Sequence, residues 1–135
     1  DIPALCFEHN DQINITEYTQ IAMIATEAAL WKAVTERGIS SCVNAGLSLG
    51  EYGALIASGA ISLEDAFRIV RKRGIYMQEA VPRGGAMTAV IGMDSDKILE
   101  VCKNIEGIVS IANYNCPGQI VITGEQWQWR KQVRD

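Results

Sequence analysis

Gly46-Leu47-Ser48-Leu49-Gly50 leaves the backbone few paths. A G-x-S-x-G pentapeptide marks a tight strand-to-helix turn, in which the glycines relieve crowding and the serine hydroxyl is held exposed. The flanks fit this reading. Ser41 to Gly46, with Val43 among small residues, reads as a short buried strand, and a helix is expected from Leu49 to Ala57. In that setting the Leu49 amide, near the helix start, can donate to the oxyanion formed when Ser48 attacks a carbonyl. A glycine-rich turn capped by a serine would use the same residues, and the pentapeptide alone leaves both readings open.

The surrounding pattern is that of a mixed α/β chain. Ile21, Ile24, Ala25, Ala28 and Trp31 recur at the spacing of one helical face between Tyr18 and Arg37, and Gly38 supplies a stop. Ser62-Leu63-Glu64-Asp65 has the form of a capping box and opens a long helix to about Val81, which Pro82-Arg83-Gly84-Gly85 ends. Beyond that break the sequence predicts a strand at Ala86–Ile91, a helix at Asp94–Asn104, and strands at Ile108–Ala112 and Ile120–Thr123. A helix after Glu125 completes the expected β-α-β-β-(α) order, one strand short of a ferredoxin-like unit.

The long helix carries a second clue. Placed at about 100° per residue, Leu63, Ala66, Phe67, Gly74, Met77 and Val81 fall within roughly 60° of Val70. Arg73 lies inside this apolar arc, whereas Arg68, Arg71, Lys72, Glu64 and Glu79 lie outside it. An unpaired charge on an apolar face costs several kcal/mol, and the planar guanidinium is suited to grip a carboxylate. Either a carboxylate of this protein or an anionic ligand supplies the partner, and the wheel does not choose between them.

Charge and cysteine usage exclude several alternatives. Twelve basic residues against 16 acidic ones give a net charge of -4, with no basic run beyond Arg71-Lys72-Arg73, which argues against a nucleic-acid partner. Glu27, Lys32 and Glu36 interrupt the most apolar stretch, so no membrane span is expected, and the first residues do not have the form of a signal peptide. Cys6, Cys42, Cys102 and Cys116 are widely spaced, with one histidine in the chain, so no metal site is expected and a reducing, cytoplasmic setting suits them. That histidine, His9, sits in a polar loop-like stretch and reads as solvated. Asn113-Tyr114-Asn115-Cys116-Pro117-Gly118-Gln119 reads as a turn between strands whose amides either satisfy the turn or line a cleft, with Cys116 there for packing.

Taken in order, the pentapeptide with Glu51-Tyr52-Gly53-Ala54-Leu55, then Arg73-Gly74-Ile75-Tyr76-Met77-Gln78, then Asn113 to Gln119 with Val121-Ile122-Thr123-Gly124, resemble the malonyl-CoA:acyl carrier protein transacylases of bacterial fatty acid synthesis. Tyr18-Thr19-Gln20 fits the helix that precedes the nucleophile strand there, with Ile21 in place of the usual proline. The resemblance implies that Ser48 takes malonyl from coenzyme A as an ester and yields it to the phosphopantetheine thiol of acyl carrier protein. It assigns Leu49 to the oxyanion hole, Arg73 to the free malonyl carboxylate, and Asn113 and Asn115 to the cleft wall. It implies no cofactor beyond malonyl-CoA as substrate, and a monomeric parent.

The departures are equally specific. Leu47 stands where many members carry a histidine, and the tail from Gln126 does not resemble the family's helix at that place. Members are about twice as long, with a glutamine-rich oxyanion loop before these motifs and the catalytic histidine after them. The chain is therefore expected to be a central part of such an enzyme. Residues 1–83 would belong to a partial α/β-hydrolase-like large subdomain with the nucleophile elbow, and residues 84–135 to an incomplete ferredoxin-like small subdomain. Two other functions fit the same motifs: a non-catalytic module binding carrier protein or coenzyme A, and a serine hydrolase of the α/β-hydrolase type, which would not need Arg73.

Overall fold

A computed structural model describes residues 1–82 and 84–125. The chain divides into two compact units, Asp1–Ala80 and the residues from Val81 onward. The described residues are mixed α/β, with helices throughout and one small antiparallel sheet.

The first unit is helical. It contains α1 (Ile2–Phe7), a 3-10 turn (Gln12–Asn14), α2 (Thr16–Thr35), α3 (Gly50–Ala57) and α4 (Leu63–Ala80). The short α1, which periodicity did not suggest, brings Leu5 into the core. The α2 face expected from spacing is the one that packs, with Ile21, Ile24 and Ala28 buried. Gly38, at φ +77°, takes the left-handed conformation that stops α2. Leu5, Ile21, Ala22, Ile24, Leu49 and Val70 form the core of the unit. Here α2 and α4 approach closely, because a Cβ on Gly74 would meet the Glu17 backbone at 3.0 Å.

Three local expectations are modified. The capping box of α4 is only half formed: the Asp65 amide donates to Ser62 Oγ at 3.0 Å, but the return bond joins the Ser62 hydroxyl to Asp65 Oδ2 at 2.7 Å. Arg71, expected to point away from the apolar arc, lies against α2, bonding the Glu17 carbonyl and carboxylate at 2.8 and 3.0 Å and covering the Tyr18 ring. Its long side chain folds over the edge of the helix pair, a reach that a wheel of Cα positions does not represent.

The third change concerns Ser41–Gly46, which is not a strand but irregular chain, with Val43 79 % exposed. A strand needs a hydrogen-bonded neighbour, and no strand is described in this unit to provide one.

The second unit has β1 (Gly85–Ile91), α5 (Ser95–Asn104), β2 (Val109–Cys116) and β3 (Gln119–Glu125). The sheet order is β1-β3-β2, with both pairings antiparallel. Ile98 and Cys102 of α5 pack on Ile120, flanked by Val90, Val109, Ile111 and Ile122. The turn expected across residues 113–119 is far smaller, since β2 continues through Asn113, Tyr114, Asn115 and Cys116 and only Pro117-Gly118 turns. Proline followed by glycine at φ +80° suits a type II turn. Such turns splay a hairpin, and the register shift between Tyr114 and Cys116 restores the twist. The helix expected after Glu125 lies outside the described residues.

Candidate active site

Ser48 is the only non-glycine among the described residues with positive φ, at 55°. A left-handed serine costs about 1–3 kcal/mol and is held there only by its surroundings. Two neighbours do so. A Cβ on Gly46 would occupy the space of the Gly50 carbonyl and the Glu51 amide, so the chain can fold back this tightly only with glycine at 46. On the other side Leu49 is buried in the core. Gly50 differs from the expectation for the motif: a Cβ there would meet nothing within 4 Å.

The turn leads directly into α3. Bonds from the Gly50, Glu51 and Tyr52 amides to the Leu47, Ser48 and Leu49 carbonyls, at 3.0, 3.3 and 3.0 Å, wind its first turn. The Leu49 amide precedes these donors and lies at the positive end of the helix, where early N–H groups lack intrahelical partners. Ser48 itself is exposed. An exposed hydroxyl and the adjoining amide at the start of α3 are thus contributed by Ser48 and Leu49, on a turn that Gly46 allows to close.

Arg73 reaches this turn from α4. Its Nη2 donates to Ser48 Oγ at 2.8 Å, its Nη1 donates to Gln20 Oε1, and the guanidinium lies 5.8 Å from the centre of the Tyr52 ring. The half-buried position agrees with the wheel. Of the two partners left open by the sequence, a carboxylate of the protein is not the one found: among the described residues no acidic side chain forms an ion pair with Arg73. The cation is held by neutral groups and an aromatic face, which leaves its charge uncompensated.

In the sequence Gln20 stands out only within Tyr18-Thr19-Gln20, because its contact with Arg73 spans 53 positions. Among the described residues it is the one buried polar side chain, 7 % exposed, and its amide nitrogen donates to Met77 Sδ at 3.3 Å. The available signal was a lone amide within the apolar face of α2.

His9 is exposed and has no hydrogen bond to Ser48. Asn113 and Asn115 are half-buried on β2 of the second unit, where Asn115 donates to the Gln119 side chain at 3.0 Å. The side-chain oxygen Oδ1 of Asn115 is buried without a partner among the described residues. No group of three His, Cys, Asp or Glu residues among those described could hold a metal ion, and no described helix is long and apolar enough to cross a membrane.

The family described as "Acyl transferase domain" matches residues 5–135. The malonyl CoA-acyl carrier protein transacylase of Bacillus subtilis (strain 168) is 46 % identical over 128 residues, covering 91 % of this chain and 40 % of that protein. The crystal structure of the transacylase of that name from Clostridium perfringens superposes with a TM-score of 0.84 at 47 % identity, covering 97 % of this chain and 43 % of that one. A structure of a type II PKS acyl-carrier protein in complex with its malonyl-transacylase gives a TM-score of 0.85 at 42 % identity, covering 97 % of this chain and 44 % of that one. The chain thus spans about two-fifths of the length of the relatives it matches.

Proposed function

Since this chain belongs to the acyl transferase domain family, we propose that it carries the nucleophile and the acyl-selecting arginine of an enzyme that moves malonyl from malonyl-CoA to acyl carrier protein. The observation that carries the reading is the pairing of a left-handed, exposed Ser48 with a charge-uncompensated Arg73 at 2.8 Å. A nucleophile hydrogen-bonded to a guanidinium that has no acidic partner among the described residues suits an acyl group that ends in a carboxylate.

In the first half-reaction Ser48 Oγ attacks the thioester carbonyl and gives up its proton to a base. The oxygen of the tetrahedral intermediate takes the Leu49 N–H, the C–S bond breaks, and the thiol of coenzyme A leaves carrying a proton. The malonyl ester then places its free carboxylate next to Arg73, which exchanges the Ser48 oxygen for that anion. Attack by the phosphopantetheine thiol reverses these steps and frees Ser48. The base is proposed to be the later histidine that the resemblance implies, since His9 has no bond to Ser48. No cofactor takes part in this scheme.

Asn113 and Asn115 are proposed to line the substrate cleft, supported by their half-buried position on β2. The two units are proposed to be parts of an α/β-hydrolase-like subdomain (residues 1–83) and a ferredoxin-like one (residues 84–135). The β1-β3-β2 order favours the latter. The parent is proposed to be monomeric and, from its dispersed free thiols, cytoplasmic. A serine hydrolase has no need for an uncompensated cation at the nucleophile.

The test is mass spectrometry of the full natural polypeptide after brief exposure to malonyl-CoA. A malonyl adduct on the Ser48 peptide, absent from Ser48→Ala and discharged by holo acyl carrier protein, is the expected result. Discharge by water alone at the same rate would make the protein a hydrolase.

A further inference from the structure

We infer that Gln20 is a specificity-determining positioning residue, which orients Arg73 while leaving its positive charge available to an anionic acyl group. This rests on the proposed malonyl transfer. A guanidinium has only donors, so the Gln20 side chain must turn its carbonyl oxygen toward Arg73 Nη1, as it does. The amide nitrogen is then committed to the other side, where Met77 Sδ accepts at 3.3 Å. Thioether sulfur is a weak acceptor, adequate to orient an amide without drawing it away. Burial of Gln20 on the core face of α2 restricts the side chain to this arrangement.

The neutrality of this partner has a chemical consequence. A glutamate at position 20 would reach the same Nη1 and hold the guanidinium more strongly, but it would also satisfy the charge that the substrate carboxylate must find unsatisfied. The amide fixes one edge of the fork and competes for none of the charge. Arg73 is thereby held against Tyr52 and beside Ser48, with a geometry set before substrate arrives.

The experiment compares malonyl-CoA and acetyl-CoA as donors in the full natural polypeptide carrying Gln20→Glu or Gln20→Met. Gln20→Glu should lower kcat/KM for malonyl on the order of 10- to 100-fold, mainly through KM, and change acetyl transfer less than about threefold. Gln20→Met, which keeps the volume but removes the acceptor, should give a smaller loss in the same direction. Equal losses for both donors in both variants would reduce Gln20 to a packing residue and overturn the inference while leaving malonyl transfer standing. Failure of the unsubstituted protein to transfer malonyl at all would overturn both. If Gln20→Glu fails to fold, Gln20→Met alone decides by the same malonyl-to-acetyl ratio.

Discussion

The Arg73 guanidinium donates to the Ser48 hydroxyl oxygen at 2.8 Å, joining the middle of α4 to a turn 25 residues earlier. The serine oxygen occupies one donor of a cation that has no acidic partner among the described residues, so an incoming carboxylate can displace it at little electrostatic cost. Arg73→Ala should therefore lower malonyl kcat/KM by roughly 100-fold, the loss expected for a charge-assisted bidentate contact. Acetyl transfer should change only a few-fold. Parallel steady-state assays of the full natural polypeptide with the two donors measure the ratio, and an equal loss for both would remove the carboxylate role.

The two glycines of the turn should respond in opposite ways. Gly46→Ala places a methyl group inside the Gly50 backbone and should abolish acylation of Ser48, since no flexible side chain is there to yield. Gly50→Ala meets open space within a helix and should be neutral or stabilising by about 0.4–1 kcal/mol. Thermal melts with acyl-adduct mass spectrometry separate the outcomes, and equal effects would mean that the turn is not closed as described.

The contrast between these glycines also marks how far the sequence could be read. The helices around Ile24 and Val70 follow from spacing, because burial of a helix face is a local, periodic property. The inward lean of Arg73 follows for the same reason. Its partner Gln20 does not, since it depends on how α2 and α4 pack over 53 positions. Ser41–Gly46 departs from the strand its sequence suggests because strand character needs a neighbour that the segment itself cannot supply. The length of β2 was underestimated because asparagines that favour turns in isolation are accommodated by register shifts beside β3. The roles of Asn113 and Asn115 rest on resemblance.

Burial of Cys102 against Ile98 and Ile120 raises its thiol pKa above the ordinary 9.0. The unfolded chain then loses the proton first as pH rises. The resulting stabilisation is complete below the unfolded value and declines as pH climbs through the higher folded one. Melting of the second unit should be level from about pH 7 to pH 8 and fall by about pH 10, with the slope reduced in Cys102→Ala. Cys102 should also resist thiol reagents until the unit unfolds, and prompt labelling in the folded state would contradict its burial.

In the first unit, Ile24 is fully buried where α2 meets Leu49 and Val70. Ile24→Ala should cost about 2–5 kcal/mol by leaving a cavity in this core. Chemical denaturation measures it, and a loss below about 1 kcal/mol would indicate that the core is not packed as described.

Leu49 gives its amide to the turn and its side chain to the core with Ile21, Ile24 and Val70. The proposed oxyanion donor is therefore anchored by the core of the first unit. Warming should not first soften the Gly46–Gly50 turn and later melt the helices, because Leu49 fastens both. Heat inactivation and loss of helical structure should follow one curve, with no interval in which a cohesive but inactive first unit accumulates.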